Sequence, residues 1–204
     1  MKLPTEAIEM SYDYQRVVSR LIQNGEILLG KAFHIPENER GIIFGILAWF
    51  LEDELVTERM NIDLSKGILL SGPIGCGKTT LFKLMQNFPT KRKGFGIIST
   101  RQVVSKFMQS GYEVLEKYSR GNFSHDIRTP KAYFFDDIGT ETTSKYFGND
   151  CNVMAEILLT RYDLFKEKGI HRIFWFRRLW TFMLSFGRAS GWTVMVNSFW
   201  IFIK

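Results

Sequence analysis

Gly72-Pro73-Ile74-Gly75-Cys76-Gly77-Lys78-Thr79 decides the fold of this chain. The stretch fits G-x-x-x-x-G-K-[ST], a phosphate-binding loop. Its glycines let main-chain N–H groups turn inward toward a phosphate that bulkier residues would hold off. The expected cradle is the N–H groups of Ile74, Gly75, Cys76, Gly77 and Lys78, entered through Gly72 and Pro73. Lys78 supplies a mobile cation for the β- and γ-phosphates, and Thr79 a hydroxyl for Mg²⁺. The Thr80 N–H is placed for the α-phosphate region. A helix beginning here aims its positive end at the same anion.

The flanks suit the loop. Gly67-Ile68-Leu69-Leu70-Ser71 is a short apolar run that reads as a buried strand. Thr79-Thr80-Leu81-Phe82-Lys83-Leu84-Met85 carries apolar residues at helical spacing. Strand, glycine loop and helix in this order separate a true phosphate loop from a glycine-rich turn with an incidental lysine.

A second motif follows. Tyr133-Phe134-Phe135-Asp136-Asp137 is an apolar run ending in two acids, the Walker B pattern. A buried strand delivers its carboxylates to the C-terminal edge of an open α/β sheet, where nucleotides bind. Asp136 is the candidate Mg²⁺ ligand beside Thr79. Asp137 is the candidate catalytic group that orients the attacking water, with Lys78 acting on the phosphates. Taken alone, the run also reads as a strand end with two solvated acids; the phosphate loop upstream favours the functional reading.

At 204 residues the chain suits one α/β domain with a small appendage. The two cysteines, Cys76 in the loop and Cys151 in a predicted helix, do not suggest a disulfide framework. The N-terminus lacks a signal-peptide apolar core, so a cytoplasmic protein is expected. His34, His125 and His171 are scattered and suggest no metal site. The net charge of +6 is uneven: residues 171–204 hold five Lys/Arg and no acid, leaving +1 for the rest. A basic run, Lys91-Arg92-Lys93, could touch phosphate backbones, although such runs are more often solvated loops.

Periodicity, the two motifs and the change in composition after residue 170 divide the chain into a helical N-terminal segment over residues 1–40, a P-loop core over 41–170 and an aromatic, basic tail over 171–204. Within these, residues 6–30 read as mainly helical. One helix is expected from Pro36-Glu37 to about Asn61, with Ile42, Ile43, Ile46, Leu47, Phe50, Leu51 and Leu55 on one face. Further strands are expected at 94–99 and 132–137, and helices at 102–109, 114–118 and 152–168. The stretch 139–150 reads as a long polar loop. The expected class is α/β: a three-layer P-loop NTPase fold with a mainly parallel sheet, a helical N-terminal segment, and a lid missing or replaced.

Asp136-Asp137-Ile138-Gly139, Lys145-Tyr146-Phe147-Gly148-Asn149-Asp150 and Leu158-Leu159-Thr160-Arg161-Tyr162-Asp163 resemble the AAA+ ATPases of the DnaC helicase-loader and IstB transposition-helper type. The resemblance covers roughly residues 40–170. It implies ATP and Mg²⁺ as cofactors and a homo-oligomer with ATP at the subunit interface. It also implies a replicative helicase of the DnaB type, a transposase or single-stranded DNA as partner. Another P-loop enzyme, such as a small-molecule kinase, stays open, as does an ATP-binding remnant that does not turn over. No Asn-Lys-x-Asp guanine signature is present. Arg161 invites a role as an arginine acting on a neighbouring subunit's phosphates, but a structural arginine is the simpler reading.

The resemblance breaks after Gly169-Ile170. The family continues with a strand ending in a polar sensor and then an arginine-bearing lid; this chain reads His171-Arg172-Ile173-Phe174-Trp175-Phe176-Arg177-Arg178-Leu179-Trp180. Four of the five tryptophans fall in residues 171–204. An out-of-frame ending, a membrane or partner anchor, and a divergent completion of the sheet all fit this composition, the first of them best. A membrane span is disfavoured, because the longest uncharged run, residues 189–203, is shorter than the roughly 20 residues a helix needs to cross. Efficient hydrolysis is in question, because the family's sensor, arginine finger and lid arginine would all follow residue 170.

Overall fold

The computed structural model describes residues 11–72, 75–88, 94–121, 131–140, 144–146, 149–168, 173–178, 193–195 and 200–202. Pro73, Ile74, the Lys91-Arg92-Lys93 run, residues 122–130 and most of the stretch after 170 lie outside the described residues. Along the chain run α1 (Tyr14–Leu29), α2 (Arg40–Leu51), α3 (Glu54–Arg59), β1 (Ile68–Gly72), α4 (Lys78–Gln86), β2 (Gly96–Ser99) and α5 (Thr100–Ser110). They are followed by α6 (Tyr112–Ser119), β3 (Tyr133–Ile138), β4 (Ser144–Tyr146), β5 (Asn149–Cys151), α7 (Val153–Lys168), β6 (Ile173–Arg178), β7 (Thr193–Met195) and β8 (Trp200–Phe202).

The chain divides into two compact units, one of Met1–Ser65, Leu70–Gly94 and Trp180–Lys204, the other of Lys66–Leu69 and Phe95–Leu179. In the first, α2 is apolar nearly all round, and Leu47, Ala48 and Phe50 are almost wholly withdrawn from water. Burying a side chain such as Leu47 or Phe50 contributes about 1.5–3 kcal/mol. The Phe50 ring meets Phe82 of α4 edge-on, centroids 6.3 Å apart. Helix α1 also contacts α4, and its Tyr14 ring lies 4.4 Å from that of Phe44.

The single helix expected from Pro36 to Asn61 is two helices. Glu52 turns left-handed at φ 53°, ending α2, and Asp53 restarts the chain as the N-cap of α3. The Asp53 carboxylate accepts from the Val56 N–H (3.4 Å) and from the Tyr14 hydroxyl (3.0 Å), so the break is stapled to α1. Asp53-Glu54 ahead of an apolar pair is an N-cap signature that marks this restart.

In the second unit, β2, β3 and β6 form a parallel array: Ile98 pairs with Phe135, and Phe135 with Trp175. Parallel strands need helical crossovers, which α5, α6 and α7 supply. Val103, Val104 and Phe107 of α5, Val114 and Tyr118 of α6, and Val153, Met154 and Ile157 of α7 form one core with Ile98 and Phe135. In place of the polar loop expected over 139–150 and the helix expected at Cys151, β4 and β5 make an antiparallel ribbon, Ser144 opposite Cys151 and Tyr146 opposite Asn149. Its residues are too polar to give a strand signal; cross-strand pairing decides it. Within the aromatic stretch, Ile173–Arg178 form β6, hydrogen-bonded alongside β3. The fold is α/β, with β2, β3 and β6 parallel and β7 antiparallel to β8. No helix among the described residues is long and apolar enough to cross a membrane.

Candidate functional site

The phosphate-loop candidate belongs to the first unit. Gly75 and Gly77 adopt φ 81° and φ 85°, left-handed values that cost a side-chain-bearing residue about 1–2 kcal/mol. No atom lies within 4 Å of a Cβ built on either glycine, so backbone conformation, not crowding, demands them. Gly77 is also the N-cap of α4, and as a glycine it brings no side chain to cap the helix end. The first-turn amides of α4 point out of it by helix geometry, beside the positive end of the dipole.

Lys78 is the first residue of α4 and is 6% exposed. Its ammonium donates to the Gly72 carbonyl at 2.9 Å and to the Cys76 Sγ at 3.0 Å. The Lys78 ammonium thus brings Gly72, Cys76 and Lys78 together. Thr79 and Thr80 follow in the first turn, half-buried. First-turn helix amides, an ammonium held inside the loop and a hydroxyl one residue on are the groups a polyphosphate with Mg²⁺ calls for. Pro73 and Ile74 lie outside the described residues.

The Walker B candidate belongs to the second unit. Asp136 sits in register with Ser99 of β2. Beyond Phe135 the pairing with β6 slips: Phe135 matches Trp175 but Ile138 matches Arg177, so β3 carries one extra residue. That is a β-bulge, which bends a strand and re-aims its side chains. Asp137 occupies it at φ 60°. The Asp137 carbonyl accepts from the Thr140 Oγ1 (2.8 Å), the Thr100 Oγ1 (3.0 Å) and the Thr140 N–H (3.2 Å). Neither threonine is singled out by sequence pattern. A threonine at a strand end and another just after a Walker B pair were the available signals.

Arg161 is 2% exposed in the core of the second unit. Its Nε donates to the Tyr118 carbonyl and its Nη2 to the Lys131 carbonyl at 2.9 Å. The guanidinium lies over the Tyr133 ring at 5.5 Å and the Phe135 ring at 5.8 Å. Burial pulls its pKa down to about 10, with the Tyr133 hydroxyl opposing. Gly96, in register with Tyr133, leaves room for that ring: a Cβ there would come within 2.9 Å of it. Arg161 is therefore a structural clamp joining α7 to the end of α6 and the start of β3. Buried and bonded to its own chain, Arg161 takes the structural of its two readings.

A left-handed glycine loop opening onto a helix N-terminus, after a strand and before a Walker B strand, defines a P-loop NTPase. Residues 68–182 match the family model of AAA, the ATPase family associated with various cellular activities. The chain belongs to that family. It is similar to ATPase family gene 2 protein homolog B of Bos taurus, 29% identical over 130 residues, covering 62% of this chain and 16% of the relative. It is also similar to cell division control protein 48 homolog B of Arabidopsis thaliana, 29% identical over 130 residues, covering 60% of this chain and 21% of the relative. A shorter stretch of 82 residues is 34% identical to ABC transporter F family member 5 of Arabidopsis thaliana, covering 39% of this chain and 11% of the relative. The chain thus matches only a small part of each relative's length.

Proposed function

We propose that this chain binds ATP with Mg²⁺ and works as an ATP-dependent switch of the helicase-loader or transposition-helper type. In this reading the main-chain N–H groups of residues 74–78 cradle the phosphates, and Lys78 neutralises the β- and γ-phosphate charge. Thr79 and Asp136 hold Mg²⁺, and Asp137 orients the attacking water. Membership of the AAA family supports ATP binding in general. The finer reading rests on Asp136-Asp137-Ile138-Gly139 and on Leu158-Leu159-Thr160-Arg161-Tyr162-Asp163. In that second stretch, Arg161 serves the fold rather than the chemistry.

The observation that carries the reading is the loop itself. Two left-handed glycines lead into the N-terminus of α4, and the Lys78 ammonium is held against the Gly72 carbonyl. An arriving phosphate exchanges that carbonyl for a stronger, charged acceptor at little reorganisation cost.

The test is equilibrium binding of a fluorescent ATP analogue, with and without Mg²⁺, to the wild-type chain and to Lys78→Ala. Turnover is then measured alone, with single-stranded DNA and with a DnaB-type helicase. Mg²⁺-dependent binding lost in Lys78→Ala, with turnover stimulated by DNA or helicase, supports the reading. No binding by the wild-type chain ends it. Binding without turnover under any condition replaces it with a nucleotide-binding remnant.

A further inference from the structure

Three described non-glycine residues adopt a left-handed backbone: Glu52, Asn61 and Asp137. Glu52 caps the C-terminus of α2, and Asn61 lies just past the C-terminal cap of α3, where this conformation commonly ends a helix. Asp137 is different, because it lies within β3, among extended neighbours. An aspartate tolerates the conformation better than most residues but does not seek it inside a strand.

What holds Asp137 there is its carbonyl. Thr140 bonds it from three residues on, through both its N–H and its hydroxyl, which closes a local turn. The remaining bond comes from Thr100, 37 residues away in sequence and 0% exposed. Thr100 is a fixed point. It opens α5, whose N-terminus is closed by a capping box between Ser99 and Gln102. Three residues on, Val103 enters the core that contains Phe135. The Thr100 hydroxyl therefore ties the bulge to a rigid helix end. A bulge breaks the alternation that sends successive strand side chains to opposite faces, so the direction of the Asp137 carboxylate depends on how that bulge is held.

We propose that Thr100 is a positioning residue for Asp137. Its hydroxyl fixes the left-handed backbone at the bulge and, through it, the aim of the carboxylate. The catalytic half of this proposal rests on the reading of Asp137 as the group that orients water.

The experiment compares wild type, Thr100→Val, Thr100→Ser and Asp137→Asn. Valine keeps the shape and removes the hydroxyl; serine restores the hydroxyl. Amide hydrogen exchange at Thr140 reports the bulge, and single-turnover ATP hydrolysis with ATP affinity reports the chemistry. We expect Thr100→Val to speed Thr140 exchange and slow turnover by about tenfold or more, because a small misplacement of a catalytic group is costly. ATP affinity is expected to stay within about twofold, and serine to restore both readouts, the pattern of a group used only in the transition state. Exchange or turnover in Thr100→Val indistinguishable from wild type overturns the proposal. Undiminished turnover in Asp137→Asn overturns the reading of Asp137 instead and leaves the exchange result for Thr100 standing. If no form turns over, wild type included, exchange at Thr140 decides whether Thr100 fixes the bulge.

Discussion

The Lys78 ammonium donates a hydrogen bond to the Gly72 carbonyl, 2.9 Å away and six residues back in the chain. The bond closes the glycine loop on itself and keeps a positive charge inside it before any phosphate arrives. Lysine entropy is spent in folding rather than in binding, which favours tight capture of an anion.

Replacing Lys78 with alanine is therefore expected to weaken binding of the ATP analogue by about 10- to 100-fold, the worth of one charge-assisted hydrogen bond. Isothermal titration measures it. The melting temperature should move little, because the lost bonds are confined to the loop.

Gly77 is tested by alanine. Its φ of 85° is strained for any L side chain, although no atom stands near the new methyl. Urea denaturation should show a loss of about 1–2 kcal/mol. An unchanged midpoint would mean that the loop adopts another backbone path.

Asp137 should separate stability from chemistry. Asparagine tolerates the left-handed region as aspartate does, so Asp137→Asn should stay within about 0.5 kcal/mol of wild type in chemical denaturation. Leucine at the same place should cost about 1–2 kcal/mol. Both should lose turnover. Equal stability of the leucine variant would contradict the φ of 60°.

Arg161→Met keeps much of the apolar stem and removes both donors. The Tyr118 and Lys131 carbonyls then lose a buried charged partner, at about 1–3 kcal/mol each. A denaturation midpoint that falls accordingly, with ATP affinity of the folded fraction unchanged, marks a structural arginine. A selective loss of turnover in mixed oligomers, without loss of stability, would restore the intersubunit role.

Tyr14 predicts a pH dependence. Burial first, and then its bond to Asp53, raise its pKa above the usual tyrosine range. Above about pH 10 the unfolded chain releases this proton while the folded chain keeps it. The folded state then binds more protons, so stability falls with rising pH, by about 1.4 kcal/mol per unit for this group. Tyr14→Phe should start about 1–3 kcal/mol less stable at neutral pH for want of the hydrogen bond. Its alkaline slope should be shallower by that one proton, read from urea midpoints between pH 9 and about pH 11.

Sequence alone determined the phosphate loop, the Walker B strand, the α/β class and most of the helices. These rest on short-range physics. Left-handed glycines, a lysine and a helix start lie within eight consecutive residues, and apolar periodicity reads out one element at a time. Even the break at Glu52-Asp53 left a local N-cap signature. Tertiary structure alone decided the rest. Arg161 became a clamp because Tyr118 and Lys131, 43 and 30 residues away, offer it carbonyls. Thr100 acquired a role because β2 lies beside β3 and brings its hydroxyl to Asp137. The polar ribbon of β4 and β5 exists because two weak strands face each other. Such bonds join residues that no window along the chain contains together, and their energy depends on burial that only the folded core provides.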